Sequence, residues 1–103
     1  MHTLAVTEQG TEIHVEGDTL LLRRSTKVLR RVRIAELSQV LLFGRAEITS
    51  AAIAVLTRRR IDVVFLTRQG TFRARLIGRG TGHVVLRMAQ MYSDNYLSPR
   101  GDN

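Results

Sequence analysis

Glycine-centred turns divide this chain into short apolar runs, and that spacing limits the fold more than any other feature. Gly10, Gly17, Gly44, Gly70 and Gly78 punctuate stretches that are too short for most helices but suit strands. Alternating residues mark Thr3 to Thr7, Thr11 to Glu16, Thr19 to Arg24 and Val28 to Ile34, and they read as four strands in a meander. Val40, Leu41, Leu42 and Phe43 form a continuous apolar run closed by Gly44, the pattern of a strand buried on both faces at the centre of the core. Ile61 to Leu66 reads as another buried strand. Gly70 centres a turn over Arg68 to Thr71, and Phe72 to Ile77 alternates, with Phe72, Ala74 and Leu76 directed inward.

One internal helix interrupts this series. Thr49 is placed as N-cap for a helix over Ser50 to Arg59, and Ile48 can staple onto Ile53. Ala52, Val55 and Leu56 share one face at helical spacing. After the glycines at 78, 80 and 82, a second helix is predicted from His83, with Val84, Val85, Met88, Met91 and Tyr92 as its apolar stripe. The expected fold is α+β and mainly β: a small β-sandwich-like domain of short antiparallel strands with one internal helix and a C-terminal helix. The divisions expected are a β-rich domain over 1–82, a helix over 83–93 and a flexible tail over 94–103.

With 103 residues, 44% of them hydrophobic, the chain can build one modest core. Folding at this size removes only about 65% of the unfolded chain's surface from water, so a second subunit would add stability. There is no cysteine, which excludes a disulfide framework and thiolate metal sites and fits a reducing, cytoplasmic setting. No apolar run is long enough to cross a bilayer, and the first residues lack the basic and apolar regions of a signal peptide, so no membrane association is expected.

Sixteen Lys and Arg residues against nine Asp and Glu give a net charge of +7, and Lys27 is the only lysine. Guanidinium groups form bidentate contacts with phosphate and carboxylate and tolerate partial desolvation, so a nucleic-acid or acidic partner is expected, nucleic acid first. Arg58, Arg59 and Arg60 crowd the end of the internal helix, where the macrodipole favours cations but does not call for three. Arg73 and Arg75 share the outward face of their strand about 7 Å apart, a spacing suited to successive phosphates. These five arginines are the candidate DNA-backbone contacts. Equally, they could be a solvated helix end and a charged sheet edge that blocks aggregation.

Other constellations support no chemistry. Glu12, His14 and Glu16 share one face of a strand, but alternate strand positions spread them too far apart for one metal ion. His83 stands where a phosphate-cradling GxGxxG pattern needs its last glycine, so Gly78, Gly80 and Gly82 read as a hinge. Ser25 and Ser50 have no base or orienting acid nearby in sequence. No catalytic or metal-binding residue is therefore expected.

The order of these segments resembles the N-terminal β-rich domain of the CRISPR-associated spacer-acquisition endonuclease and integrase, the first Cas protein. The resemblance is carried by Val6 to Gly10, Val40 to Gly44, Ile48 to Ser50 opening the helix, Arg60 to Leu66, Gly70, Arg75 to Gly78, and Val84 to Gln90. It implies a domain that helps form a homodimer, contacts DNA and works with a second Cas adaptation protein in antiviral defence. It also implies that the magnesium or manganese site of the full-length enzyme lies on a large C-terminal helical domain beyond these residues. The 83–93 helix would then be a linker toward that domain, and the chain alone would be inactive. Phe72, Leu76, Val84 and Met88 are the candidate dimer contacts. Some family members carry an aromatic in the early strands that wedges open a DNA end, but here no aromatic precedes Phe43. Two alternatives remain: a freestanding basic β protein that grips nucleic-acid backbone, and a homodimerisation module alone. Aromatics make up only 5% of residues, which disfavours base-stacking on single strands.

Overall fold

The computed structural model describes residues 1–79 and 83–89. In chain order the elements are β1 (His2–Val6), β2 (Glu12–Glu16), β3 (Thr19–Arg24), β4 (Lys27–Arg33), a short 3-10 turn (Ile34–Glu36), β5 (Leu37–Phe43), β6 (Glu47–Ile48), α1 (Ser50–Arg58), β7 (Asp62–Leu66), β8 (Phe72–Gly78) and β9 (Val84–Met88). They form a five-stranded sheet of order β1-β5-β7-β8-β9 and a four-stranded sheet of order β4-β3-β2-β6. The mainly β, α+β reading holds, with both sheets mixed and one α-helix among the described residues.

The core lies between the facing sheets. Leu4 and Val6 from β1, Val40 and Leu42 from β5, and Val63 from β7 meet Ile13 from β2 and Leu20 and Leu22 from β3. Ala52 and Leu56 of α1 complete this cluster, so the helix is held by its apolar face against both sheets. The alternation along each strand assigns these faces, because residues two apart point to the same side.

Three expectations need correction. First, the strands are not all antiparallel: β1 pairs parallel with β5, β5 with β7, and β2 with β6. Two buried apolar strands joined by a helix form a parallel crossover, because only a long connection can bring the chain back to start a strand in the same direction. Second, the meander is β2-β3-β4; β1 leaves it to lie on the edge of the other sheet beside β5. Third, the 84–88 segment is not the start of a helix but strand β9, antiparallel to β8 from Ala74↔Met88 to Gly78↔Val84. Between the two strands, the Arg79 amide donates to the His83 carbonyl at 2.9 Å. Adjacent β-branched residues, Val84 and Val85, favour the strand. Met91, Tyr92, the rest of the helix expected over 83–93, the tail expected over 94–103, and Gly80 and Gly82 lie outside the described residues.

Strand β5 is also less enclosed than its run of four apolar residues suggests. Val40 and Leu42 are buried, whereas Leu41 and Phe43 on the opposite face are half-buried.

Candidate nucleic-acid interface

The helix that carries the arginine triplet is defined at both ends. Thr49 Oγ1 accepts from the Ala52 amide at 3.1 Å, as the N-cap reading requires. At the other end, the Ile61 amide donates to the Leu56 carbonyl at 2.9 Å and the Arg60 amide to the Thr57 carbonyl at 3.0 Å. This paired reversal is a Schellman motif, and it is sealed by the buried side chains of Ile61 and Leu56. Arg60 occupies its left-handed position with φ of 60°. Arg58, Arg59 and Arg60 are all exposed, and none has a carboxylate within ion-pairing distance among the described residues.

The β8 arginines differ from each other. Arg75 Nε donates to Asp62 Oδ2 at 3.1 Å, an ion pair on a partly buried surface. Arg87 lies directly opposite Arg75 in the register of β8 and β9, so Asp62 offsets a local concentration of like charge. Arg73 is exposed and has no such partner among the described residues. It lines a shallow cleft with Arg45, Arg68, Gln9, Gly44 and Thr67. Three arginines from three separate segments therefore meet with no acidic residue in the lining.

Gln9 shapes one wall of this cleft. Its Nε2 donates to the Phe43 carbonyl at 3.0 Å and the Thr7 carbonyl at 3.2 Å, and its Oε1 accepts from the Arg45 amide at 2.7 Å. Gly44 turns beneath it at φ of +63°, where a Cβ would collide with the Gln9 side chain. The amide thus ties the end of β1 to the turn after β5 and fixes the backbone that presents Arg45. Convergence of this kind was not readable beforehand, because Arg45, Arg68 and Arg73 belong to separate turns and strands and show no common spacing.

The residues expected at a dimer interface do come together. Phe72 and Leu76 alternate along one face of β8, and Val84 and Met88 lie on the same face of the adjoining β9. Leu86, opposite Leu76, adds to this strip. Phe72 is 39% exposed, Val84 46% and Leu86 52%, so among the described residues the outer part of the hairpin presents an apolar edge, whereas Leu76 packs against the core. Phe72 therefore faces the expected side but lies beyond the core.

His14 Nε2 and Glu12 Oε1 are 3.0 Å apart on an exposed strand face, and Glu16 takes no part in the contact. Among the described residues no group of three or more His, Cys, Asp or Glu side chains is arranged to hold a metal ion, so these residues do not fit a magnesium or manganese site.

A family model described as CRISPR associated protein Cas1 matches residues 4–97. A CRISPR-associated endonuclease Cas1 from Archaeoglobus fulgidus is 35% identical over 95 residues, a match covering 92% of this chain and 26% of that protein. The chain thus spans about a quarter of its relative's length. Among solved structures, a Cas6-RT-Cas1–Cas2 complex is similar with a TM-score of 0.70 and 19% identity over 92% of this chain and 10% of the larger one. A casposase bound to integration product is similar with a TM-score of 0.60 and 20% identity, covering 77% of this chain and 26% of that one. These structural likenesses establish the fold, and the extent of the sequence matches decides the family: the chain belongs to the CRISPR-associated Cas1 family.

Proposed function

We propose that this chain serves as the N-terminal, dimerising and DNA-contacting part of a CRISPR-associated endonuclease and integrase that acts in spacer acquisition and antiviral defence. The observation that carries this reading is the match to the Cas1 family over residues 4–97. The apolar β8–β9 edge supplies a surface for a second copy through Phe72, Leu76, Val84 and Met88. The exposed arginines at the end of α1 and in the Arg45, Arg68, Arg73 cleft supply cations for a DNA backbone, with Arg75 more restrained by Asp62. In this reading the metal-dependent chemistry, with magnesium or manganese, belongs to a helical domain outside these residues, and the 103 residues alone are inactive. A second Cas protein is the expected partner, since a similar fold occurs in a Cas1–Cas2 assembly. The setting is the cytoplasm. No helix among the described residues is long and apolar enough to cross a membrane.

Light scattering over a range of concentrations at two salt levels tests the dimer. The expected mass is about 23 kDa, twice the 11.6 kDa chain, at both salts, because an apolar interface is insensitive to screening. A monomer throughout would overturn the dimerisation role.

A further inference from the structure

The positive charge of this chain is concentrated in one element. Residues 19–33, which make up the β3–β4 hairpin, contain Arg23, Arg24, Lys27, Arg30, Arg31 and Arg33 and no acidic residue. The rest of the chain carries ten cations against nine acids, so six of the seven net charges reside in fifteen residues. Composition alone hides this asymmetry, and the arginine triplet at the end of α1 carries half as many cations as the hairpin.

The structure keeps these cations available. Arg24, Lys27, Arg30, Arg31 and Arg33 are exposed, and Arg23 is half-buried. Among the described residues only Arg24 has a carboxylate within ion-pairing range, Glu8 at 3.7 Å on an exposed surface, a pair weakened by water and salt. Arg24 and Lys27 stand opposite each other at the hairpin end, and Arg31 and Arg33 alternate along one face of β4, an outer strand of its sheet. Like charges this close raise the free energy of the unliganded hairpin, and a polyanion that neutralises them removes that cost.

The same sheet face carries the opposite charge at its other end. Glu12 and Glu16 on β2 and Glu47, paired with Glu12 on β6, lie beyond β3 from β4. A polyanion approaching this face is repelled from the β2–β6 side and drawn to the β4 edge. There is no aromatic residue in the hairpin on which a base could stack. Its extended ribbon of guanidinium groups instead suits regularly spaced phosphates.

We infer that the β3–β4 hairpin is the principal docking element for the phosphate backbone of double-stranded DNA, bound without sequence preference. This inference rests on the DNA-contacting role proposed above and assigns it to a surface other than the end of α1. The partner is a nucleic-acid duplex, because the cations line an extended edge strand that a regular row of phosphates can follow; guanidinium also pairs with carboxylate, and an acidic polymer is therefore set against the duplex in the test.

Fluorescence anisotropy of a labelled mixed-sequence duplex, titrated with the 103-residue chain from about 50 to about 200 mM salt, tests this assignment. The triple substitution Arg30→Gln, Arg31→Gln, Arg33→Gln is expected to lower the log–log salt slope by about 1.8, at about 0.9 for each of the phosphate contacts of Arg31 and Arg33, which share a face, while Arg30 alternates to the face of buried Leu22. The corresponding lysine triple should retain the slope. The triple Arg58→Gln, Arg59→Gln, Arg60→Gln removes the same net charge and should lower it by less than half as much. If circular dichroism shows the hairpin glutamine triple unfolded, Arg24→Gln with Lys27→Gln decides, with an expected loss of about 1.8. Intact wild-type binding with an unchanged slope in the hairpin variant, or equal losses in the two glutamine triples, would overturn the hairpin assignment alone. Absence of wild-type binding at the lowest salt would overturn the DNA-contacting role with it. Tighter binding of poly-glutamate than of the duplex at equal charge would overturn the assignment in favour of an acidic protein partner.

Discussion

Arg60 holds a backbone conformation that glycine adopts at lower cost. At φ of 60° it closes the Schellman motif after α1, where a side chain meets its own backbone. Arg60→Gly is expected to stabilise the fold by about 0.5–1 kcal/mol in urea unfolding, since the αL position favours glycine. A wild-type chain that tolerates this strain keeps a guanidinium beside Arg58 and Arg59 in return. Gly78 presents the reverse case. A Cβ built there would fall on the Thr57 carbonyl, backbone that cannot turn aside as a side chain could. The Thr57 hydroxyl already donates to the Ile53 carbonyl at 2.8 Å, so the last turn of α1 is held where β8 crosses it. Gly78→Ala is therefore expected to destabilise the fold by about 1–3 kcal/mol through overpacking, read as a lower denaturation midpoint.

Within the elements, α1 and its flanking strands are the firmest unit. Leu56 is fully buried between the two sheets, and Leu56→Ala is expected to cost about 2–5 kcal/mol by the same unfolding measurement. Much of this unit was legible in the residues: Thr49 caps the helix, Ala52 and Leu56 bury its face, and Gly44 and Gly70 mark turns. These are local signals, and local geometry decides them. Which strands pair is a matter of distant contacts, and there the reading assumed antiparallel neighbours. The signal for the parallel crossover was nevertheless present, as two apolar runs, Val40 to Phe43 and Ile61 to Leu66, on either side of one helix. Val84 to Met88 failed for another reason: five residues containing two valines, a leucine and a methionine satisfy a helical stripe and a strand about equally well, and the pairing with β8 decides between them. At the candidate interface the arginines of α1 and β8 were readable as charge, but the partnership of Arg75 with Asp62 and the meeting of Arg45, Arg68 and Arg73 depend on the folded chain. Hydrogen exchange should rank the strands accordingly, with β7 amides slowest because they are bonded on both sides and β9 amides fast at the sheet edge. Equal protection in β7 and β9 would show that something covers that edge in solution.

At the scale of the whole molecule, the apolar edge and the basic hairpin make separable demands. Phe72→Asp or Leu86→Glu should shift the light-scattering mass toward the monomer, because each puts a charge into an exposed apolar strip that a second copy would desolvate. Unfolding midpoints should change little, as both side chains lie outside the fully buried core. The concentration of charge in the β3–β4 hairpin has a further effect on motion before contact. With six positive charges in one ribbon and a body close to neutral, the molecule is an electric dipole that a nearby polyanion can rotate. Rotation of this kind acts on the frequency of productive encounters more than on residence time. Stopped-flow mixing with duplex DNA should therefore show association slowing steeply as salt rises, with dissociation changing less, so that the hairpin sets which side of the molecule arrives first.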